Sequence, residues 1–320
     1  MYLYDQKKFS LEEKASHYLP ELIGTNKENM LVKDILWHQA GLVAYIPFWE
    51  RTRIPLGWKT DVYSSTPKQD CTLCVAEGMY AKPAIRDSVW RWIIKSPLMN
   101  KKDRDGLYPY VYSDLGLMIL QHLVERLANQ SLDIFATKNF YEPLAMNTTG
   151  FNPLSHILQA QIAPTENDNL FRERLLQGTV QDQTAAMLGG VSGHAGLFSS
   201  ASDLVKLLQM NLNKGSFGNK QFLSESTINL FTTSRSTRSQ RVLGWDKLPF
   251  DGESNFVSNK VSPSSYGHSG YTGTLVWIDP EKELVFVFLS NRVNPSVANN
   301  KINTLKIRRR VMDIVYKSLE

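Results

Sequence analysis

Tyr112-Ser113-Asp114 puts a phenol, a hydroxyl and a carboxyl on consecutive residues, just ahead of the most regular apolar helical pattern in the chain. A loop or helix N-terminus lets such side chains point into a cleft, where together they can move a proton. Ser113 or Asp114 acting as a plain N-cap accounts for the same residues equally well. A second group is His268-Ser269-Gly270, inside "GHSGYTGTLVWIDP". It offers an imidazole and a hydroxyl beside a glycine that fits a bulge or a turn. His194 sits in the glycine-rich stretch Gly190–Gly196, where it lines a cleft or fills a turn. His38, in "ILWHQAGL", closes a helix and reads as a packed or capping residue.

Acyl chemistry needs a nucleophile with a base beside it. The single Ser-x-x-Lys of the chain is Ser65-Thr66-Pro67-Lys68. Thr66 as N-cap, Pro67 as first helical residue and Gln69 as capping-box partner explain it structurally, so it predicts a helix start rather than a nucleophile. Gly190-Val191-Ser192-Gly193-His194 misses the last glycine of a nucleophile elbow. The 6 histidines have no zinc-hydrolase spacing. Cys71 and Cys74 form one C-x-x-C with no second pair, and read as incidental thiols on a helix. No metal and no cofactor is expected.

The elements that must hold these residues follow from periodicity. Ser10 and Glu13 resemble a capping box before a short helix ending at Tyr18-Leu19-Pro20. Val32 to Gln39 reads as a helix stopped by Gly41. Val89, Trp90, Ile93 and Ile94 mark an apolar face. Leu115, Met118, Ile119, Leu123, Val124 and Leu127 mark a longer one. Ser200 with Asp203 starts a helix through about Leu212, and Ser224 starts another. Thr274–Asp279 and Leu284–Ser290 are β-rich runs joined at Asp279-Pro280-Glu281-Lys282, so an antiparallel hairpin is expected beside the strand carrying Gly267–Thr272, with Trp277 and Phe286 packed. Ser234–Arg241 and Asp251–Ser265 read as loops, and Lys301–Leu319 as a last helix. The fold class is α+β in one domain of 320 residues: a mostly helical region to about 240, then antiparallel strands and a C-terminal helix.

Composition sets outer bounds. With 42% hydrophobic and 21% charged residues the chain is globular, and its net charge of +5 is mostly scattered. The run Arg308-Arg309-Arg310 lies in an amphipathic pattern with Ile307, Val311, Ile314 and Val315, and reads as a solvated helix face rather than a nucleic-acid patch. No apolar run is long enough for a membrane span, and the first residues lack a signal-peptide layout.

Taken in order, "YLPEL", "ILWHQAGL", "YSDLG", "YEPLAMNTTGF", "GGVSGHAGLFSSASDL", "GHSGYTGTLVWIDP" and "FLSNR" resemble the serine β-lactamase and penicillin-binding-protein superfamily, near its class C-like branch. With "APTEND" and "GTVQD", the chain resembles in particular the β-lactamase-like domain fused behind a family-3 glycoside hydrolase, a β-N-acetylglucosaminidase. The resemblance implies a β-lactamase/transpeptidase-like fold: an antiparallel sheet flanked by helices beside a mostly helical region. It implies acyl transfer on peptidoglycan-related peptides or esters, a periplasmic or cell-envelope setting, and a glycosidase domain as partner. Tyr112 would relay a proton, Ser113 and Asp114 would complete its motif, and His268, Ser269 and Gly270 would form the next one. The Tyr271 N–H would be an oxyanion donor, His194 would line the cleft, and Tyr112 and His268 would face one cleft.

Departures from the family pattern shape the expectation. Asp114 stands where Asn is usual, so a carboxylate replaces an amide that can donate. His268 stands where classical β-lactamases have Lys, and Gln181 where fused relatives have His. The family's Ser-x-x-Lys belongs ahead of "YLPEL", and the strands that precede it are missing too, so a truncated domain with an exposed sheet edge is expected. This chain is therefore expected to be catalytically silent. The competing reading is a cell-wall-binding or accessory module of a β-N-acetylglucosaminidase.

Overall fold

The computed structural model describes residues 1–100 and 106–320. They divide into two compact units. One comprises Met1–Ser10, Lys138–Thr148 and Ser199–Glu320, and the other Leu11–Thr137 and Thr149–Phe198.

The first unit is built around a three-stranded antiparallel sheet, Tyr266–Ser269, Leu275–Asp279 and Leu284–Phe288, in that order. Side chains alternate between the faces of a strand. The register pairs Leu275 with Phe288 and Trp277 with Phe286, and these residues pack with Met312, Tyr316, Val257 and Val261. Val276, Ile278, Val285, Val287 and Tyr266 form the other cluster, with Leu208 of the helix Ala201–Leu212. Trp277 (2% exposed) and Phe286 (8%) are thus core residues, as their alternation predicts. Each large side chain so buried contributes about 1.5–3 kcal/mol of transfer free energy. The hairpin turns through Pro280–Lys282, where the Asp279 side chain accepts from the Lys282 N–H at 3.3 Å. Asp279 also accepts from the Ser262 N–H at 2.8 Å and the Tyr316 hydroxyl at 2.5 Å, so the buried carboxylate is paired. Ser200 and Ser224 cap their helices by accepting from the Asp203 and Thr227 amides, as the sequence predicts.

The C-terminal helix departs from its sequence reading. It is two pieces, Lys301–Thr304 and Ile307–Lys317, parted where Lys306 takes φ +51. Its buried face is Arg308, Met312 and Tyr316, whereas Ile314 is 68% exposed. The reason is tertiary: the Tyr316 hydroxyl must reach Asp279, and that rotates Met312 onto Trp277 and Phe286. Arg308 is therefore not part of a solvated face; its guanidinium lies 4.5 Å from the Phe256 ring centre and bonds Asn303.

The second unit carries the helices Val32–Leu36, Ala84–Ile94 and Asp114–Ala128. It also carries short antiparallel pairings that the periodicity hid. Tyr63–Ser64, Leu73–Ala76 and Met79–Ala81 form one sheet, and Pro164–Asp168 pairs with Arg174–Gln177. Strands this short have too few residues for an alternation to register. Trp49, Trp58, Tyr63 and Phe171 hold this region through edge-on and tilted ring contacts 4.8–6.2 Å between centres.

Four local expectations are corrected by the structure. Ser65–Lys68 starts no helix: Lys68 and Cys71 exchange backbone hydrogen bonds in a tight turn between two short strands, leaving no room for a helical nucleus. Cys71 lies in that turn and Cys74 in the strand Leu73–Ala76, so neither is on a helix. The helix from Val32 ends at Leu36 rather than Gln39, because His38 adopts φ +55 before Gly41. The short helix ahead of Leu19-Pro20 is Ala15–Tyr18 with Lys14 as its N-cap residue, not a Ser10/Glu13 box.

Candidate functional site

In the second unit, the segment 38–44 is a template on which 108–114 is laid. The Val111 N–H donates to the His38 carbonyl (3.0 Å) and the Asp114 N–H to the Ala44 carbonyl (3.0 Å). The Ser113 N–H donates to His38 Nδ1 at 3.0 Å, and the Ser113 hydroxyl to the Val43 carbonyl at 2.7 Å. Ser113 is thus a structural tie and only 2% exposed. Gly41, at φ +77, is required here: a Cβ would lie 2.6 Å from the Tyr108 ring. The Tyr112 ring lies against the His38 imidazole, centres 4.4 Å apart and planes 30° apart.

Asp114, the first residue of the helix Asp114–Ala128, turns its carboxyl toward a chain the sequence reading did not assemble. His194 Nε2 lies 2.8 Å from Asp182 Oδ1, and its Nδ1 lies 2.8 Å from the Ser192 hydroxyl. Donor atoms of Asp114, Asp182 and His194 all lie within 4.8 Å of one another. Several ties hold this group. The Asp182 carboxylate caps the helix Gln183–Met187 by accepting from the Ala185 N–H at 2.7 Å. The Gly193 N–H donates to Gln121 of the long helix, and a Cβ on Gly193 would lie 2.3 Å from the Leu117 carbonyl oxygen. Behind Asp182, the buried Arg172 pairs with Asp168 at 2.6 Å and donates to the carbonyls of Val180 and Gln181.

Burial and charge set the titration of this group. Burial raises the Asp114 carboxyl to about 6; His194 opposes the rise and Asp182 adds to it. Burial disfavours the His194 imidazolium, but Asp182, by charge and hydrogen bond, and then Asp114 outweigh it and raise its pKa. The Asp182 carboxylate is held below its usual range, since His194 and the Ala185 amide overcome its desolvation. Tyr45 belongs to the same surroundings: burial and then Asp182 push its phenol up to about 12. Both ring nitrogens of His194 are already engaged, so a metal ion would have to displace its partners; as built, the group shares protons.

In the first unit, His268 and Ser269 end the strand Tyr266–Ser269, and Gly270 through Gly273 turn it into the hairpin. The Gly270 N–H donates to the Thr274 carbonyl at 2.9 Å. Tyr271 is 61% exposed, and no hydrogen-bond acceptor engages its N–H among the described residues. Its carbonyl accepts from Arg292 Nε at 2.8 Å, and the guanidinium lies 4.6 Å from the Tyr271 ring centre. His268 Nδ1 lies 2.8 Å from the Ser269 carbonyl oxygen, which can only accept, so this nitrogen carries the hydrogen. Burial and the nearby Arg241 guanidinium lower the His268 pKa, against Asp246. Arg241 itself pairs with Asp246 at 3.0 Å. Burial and Arg241 both favour the neutral form of the His268 imidazole.

Of the residues singled out in the sequence, the structure brings Asp114 to His194 and holds Tyr112 and Ser113 against His38; the sequence did not signal His38 as a tie, Asp182 or Tyr45. Asp182 was visible as the last letter of "GTVQD", but nothing in the sequence brings it to His194, 12 residues away.

A family model described as Beta-lactamase matches residues 1–308. "N-acetylmuramyl-L-alanine amidase" of Bacillus subtilis is 33% identical over 320 residues, covering 94% of this chain and 66% of its own length. An Escherichia coli K12 protein, "Putative D-alanyl-D-alanine carboxypeptidase", is 37% identical over 206 residues, 61% of this chain and 48% of its own. The chain therefore spans about two thirds of the first relative and about half of the second. Among solved structures, a penicillin-binding protein homologue from Caulobacter crescentus superimposes with TM-score 0.62 at 12% identity, covering 98% of this chain and 78% of that one. A class C β-lactamase variant gives TM-score 0.62 at 15% identity over the same shares. At these identities the structures speak for the fold: β-lactamase/transpeptidase-like, with helices and antiparallel sheets.

Proposed function

This chain belongs to the beta-lactamase family of serine hydrolases, and from that premise we propose that it is an acyl-transfer domain for peptidoglycan-related peptides or esters whose 320 residues do not by themselves turn substrate over. The observation that carries the first half is the rigid placement of Tyr112 between Val111 and Ser113, both tied to His38, with Asp114 beside His194. In this reading Tyr112 relays the proton, Ser113 and Asp114 hold the motif in place, and His268, Ser269 and Gly270 present the Tyr271 N–H to a developing oxyanion. The names of the two relatives, an amidase and a carboxypeptidase of wall peptides, support a muropeptide substrate and a cell-envelope setting.

The second half rests on the nucleophile. No Ser-x-x-Lys stands ahead of His38 in this sequence, and Ser65 and Lys68 lie in an exposed turn rather than one helical turn apart. A phenol of ordinary pKa about 10 is a weak nucleophile without a lysine to activate it. Losing one oxyanion donor alone typically costs about 10²–10³ in rate. The same sequence fact favours a second reading, a wall-binding or accessory module working beside a β-N-acetylglucosaminidase.

The test uses the chain as it stands. It is incubated with a fluorescent penicillin, a fluorophosphonate and a chromogenic ester, and titrated with an acyl-D-alanyl-D-alanine peptide. We expect no covalent labelling and no ester turnover, with saturable peptide binding weakened in Tyr112→Ala. Labelling that disappears in Ser65→Ala would make Ser65 the nucleophile and overturn the silent reading. Absent peptide binding would overturn the acyl-site reading.

A further inference from the structure

We infer that His38 is the positioning residue of the Tyr112-Ser113-Asp114 motif: its imidazole carries the Tyr112 ring, its Nδ1 takes the Ser113 amide hydrogen and its carbonyl takes the Val111 amide hydrogen. This deepens the acyl-transfer reading and rests on it for its catalytic meaning.

Two polar atoms of His38 bind outside its own helix. A histidine that merely ends a helix spends its ring on that helix's last carbonyls or on water. Here the ring acceptor is spent on an amide 75 residues away in sequence, and the backbone carbonyl on another in the same loop. The side chain is nearly without surface, at 5% exposure. The backbone at His38 is left-handed, φ +55, a conformation that disfavours a non-glycine residue and persists where the surroundings over-determine it. What over-determines it is this set of ties. Val111 and Ser113 are bound to the same residue, so Tyr112 between them cannot pivot without breaking one of the two. The ring contact then limits rotation of the phenol. The Tyr110 ring meets the same imidazole edge-on at 6.4 Å between centres and closes another side.

The tautomer follows. An amide N–H only donates, so Nδ1 must present its lone pair and a neutral ring carries its hydrogen on Nε2. Asparagine is the conservative replacement on both counts. It tolerates left-handed backbone, and its Oδ1 falls near the place of Nδ1. Leucine keeps bulk and loses the acceptor.

The experiment is NMR on protein carrying ¹⁵N-histidine and ¹³C-tyrosine, with amide exchange at Ser113, and it needs no substrate. In the wild type we expect the Nε2–H tautomer at His38, a slowly exchanging Ser113 amide and a ring-shifted Tyr112. His38→Asn should keep the Ser113 amide within a few-fold of wild type. His38→Leu should speed its exchange by about tenfold or more and shift the Tyr112 ring signal toward that of an exposed tyrosine. A His38→Leu protein with a lowered melting temperature but unchanged Ser113 exchange and Tyr112 shift would reduce His38 to packing and overturn the inference. If His38→Leu does not fold, the wild-type tautomer decides: hydrogen on Nδ1 overturns the proposal, hydrogen on Nε2 alone supports it. None of these readouts depends on acyl chemistry, so failure of the labelling and peptide-binding arms leaves this result independent.

Discussion

His194 Nε2 lies 2.8 Å from Asp182 Oδ1, while the Asp114 carboxyl shares the same few ångströms. Two carboxyls and one imidazole therefore divide their protons, and of the two carboxyls Asp114 is the one that holds its proton longer, to about 6.

Asp114→Asn should stabilise the protein at neutral pH. The folded carboxyl titrates at about 6 against an ordinary value of 3.8, so the unfolded chain gives up its proton first. Stability falls as pH rises between those values, and the cost is fully present above 6. Asparagine removes that cost. Allowing for the lost attraction to His194, the gain is about 1–2 kcal/mol at pH 7.5 and near zero at pH 3.5. Urea melts of both proteins at the two pH values check it. Equal destabilisation at both would mean that the carboxyl is not strained by burial.

His194→Gln should act in the opposite direction. Its folded pKa is raised, so its stabilisation is complete below 6.5 and fades as pH rises through the folded value. Removing it leaves Asp182 buried without its cation, a loss of about 3 kcal/mol or more at pH 6 and less at pH 9. A loss that does not change between pH 6 and pH 9 would show that the imidazole is neutral throughout.

Lys27 provides a test away from the site. It has no exposed surface, and its ammonium donates to Asn26 Oδ1 and to the Ile94 and Ser96 carbonyls at the end of the helix Ala84–Ile94. Burial lowers its pKa from 10.5 to about 8. Between those values the unfolded chain binds the extra proton, so stability attributable to Lys27 rises with pH across that window. Relative to Lys27→Met, wild type should gain about 2 kcal/mol from pH 7.5 to 10.5, read as the difference between denaturation midpoints. A flat difference would mean that Lys27 keeps an ordinary pKa.

Leu284–Phe288 ends the sheet order, and its five residues, LVFVF, carry no charge and no bulge. Such an edge is a template for pairing. The weight-average mass in sedimentation should rise with protein concentration. Leu289→Lys, at a position 41% exposed just past the strand, should reduce that rise without lowering the melting temperature. A single mass across a hundredfold dilution would contradict it.

The sequence by itself determined the long apolar helix after Asp114, the hairpin that buries Trp277 and Phe286, the caps at Ser200 and Ser224, and the order of motifs that names the family. Each rests on periodicity, a local cap or the order of residues along the chain, which a one-dimensional string preserves. Tertiary structure alone decided the rest. It turned Arg308 inward because Tyr316 had to reach Asp279. It made strands and a turn of residues 63–81, where the Thr66-Pro67 cap signal predicted a helix, because no room remained for a helical turn. It made His38 a tie for Tyr112 and made Asp182 the partner of His194, since a hydrogen bond across 75 or 12 residues is fixed by how the loops pack and leaves no periodic mark on the sequence.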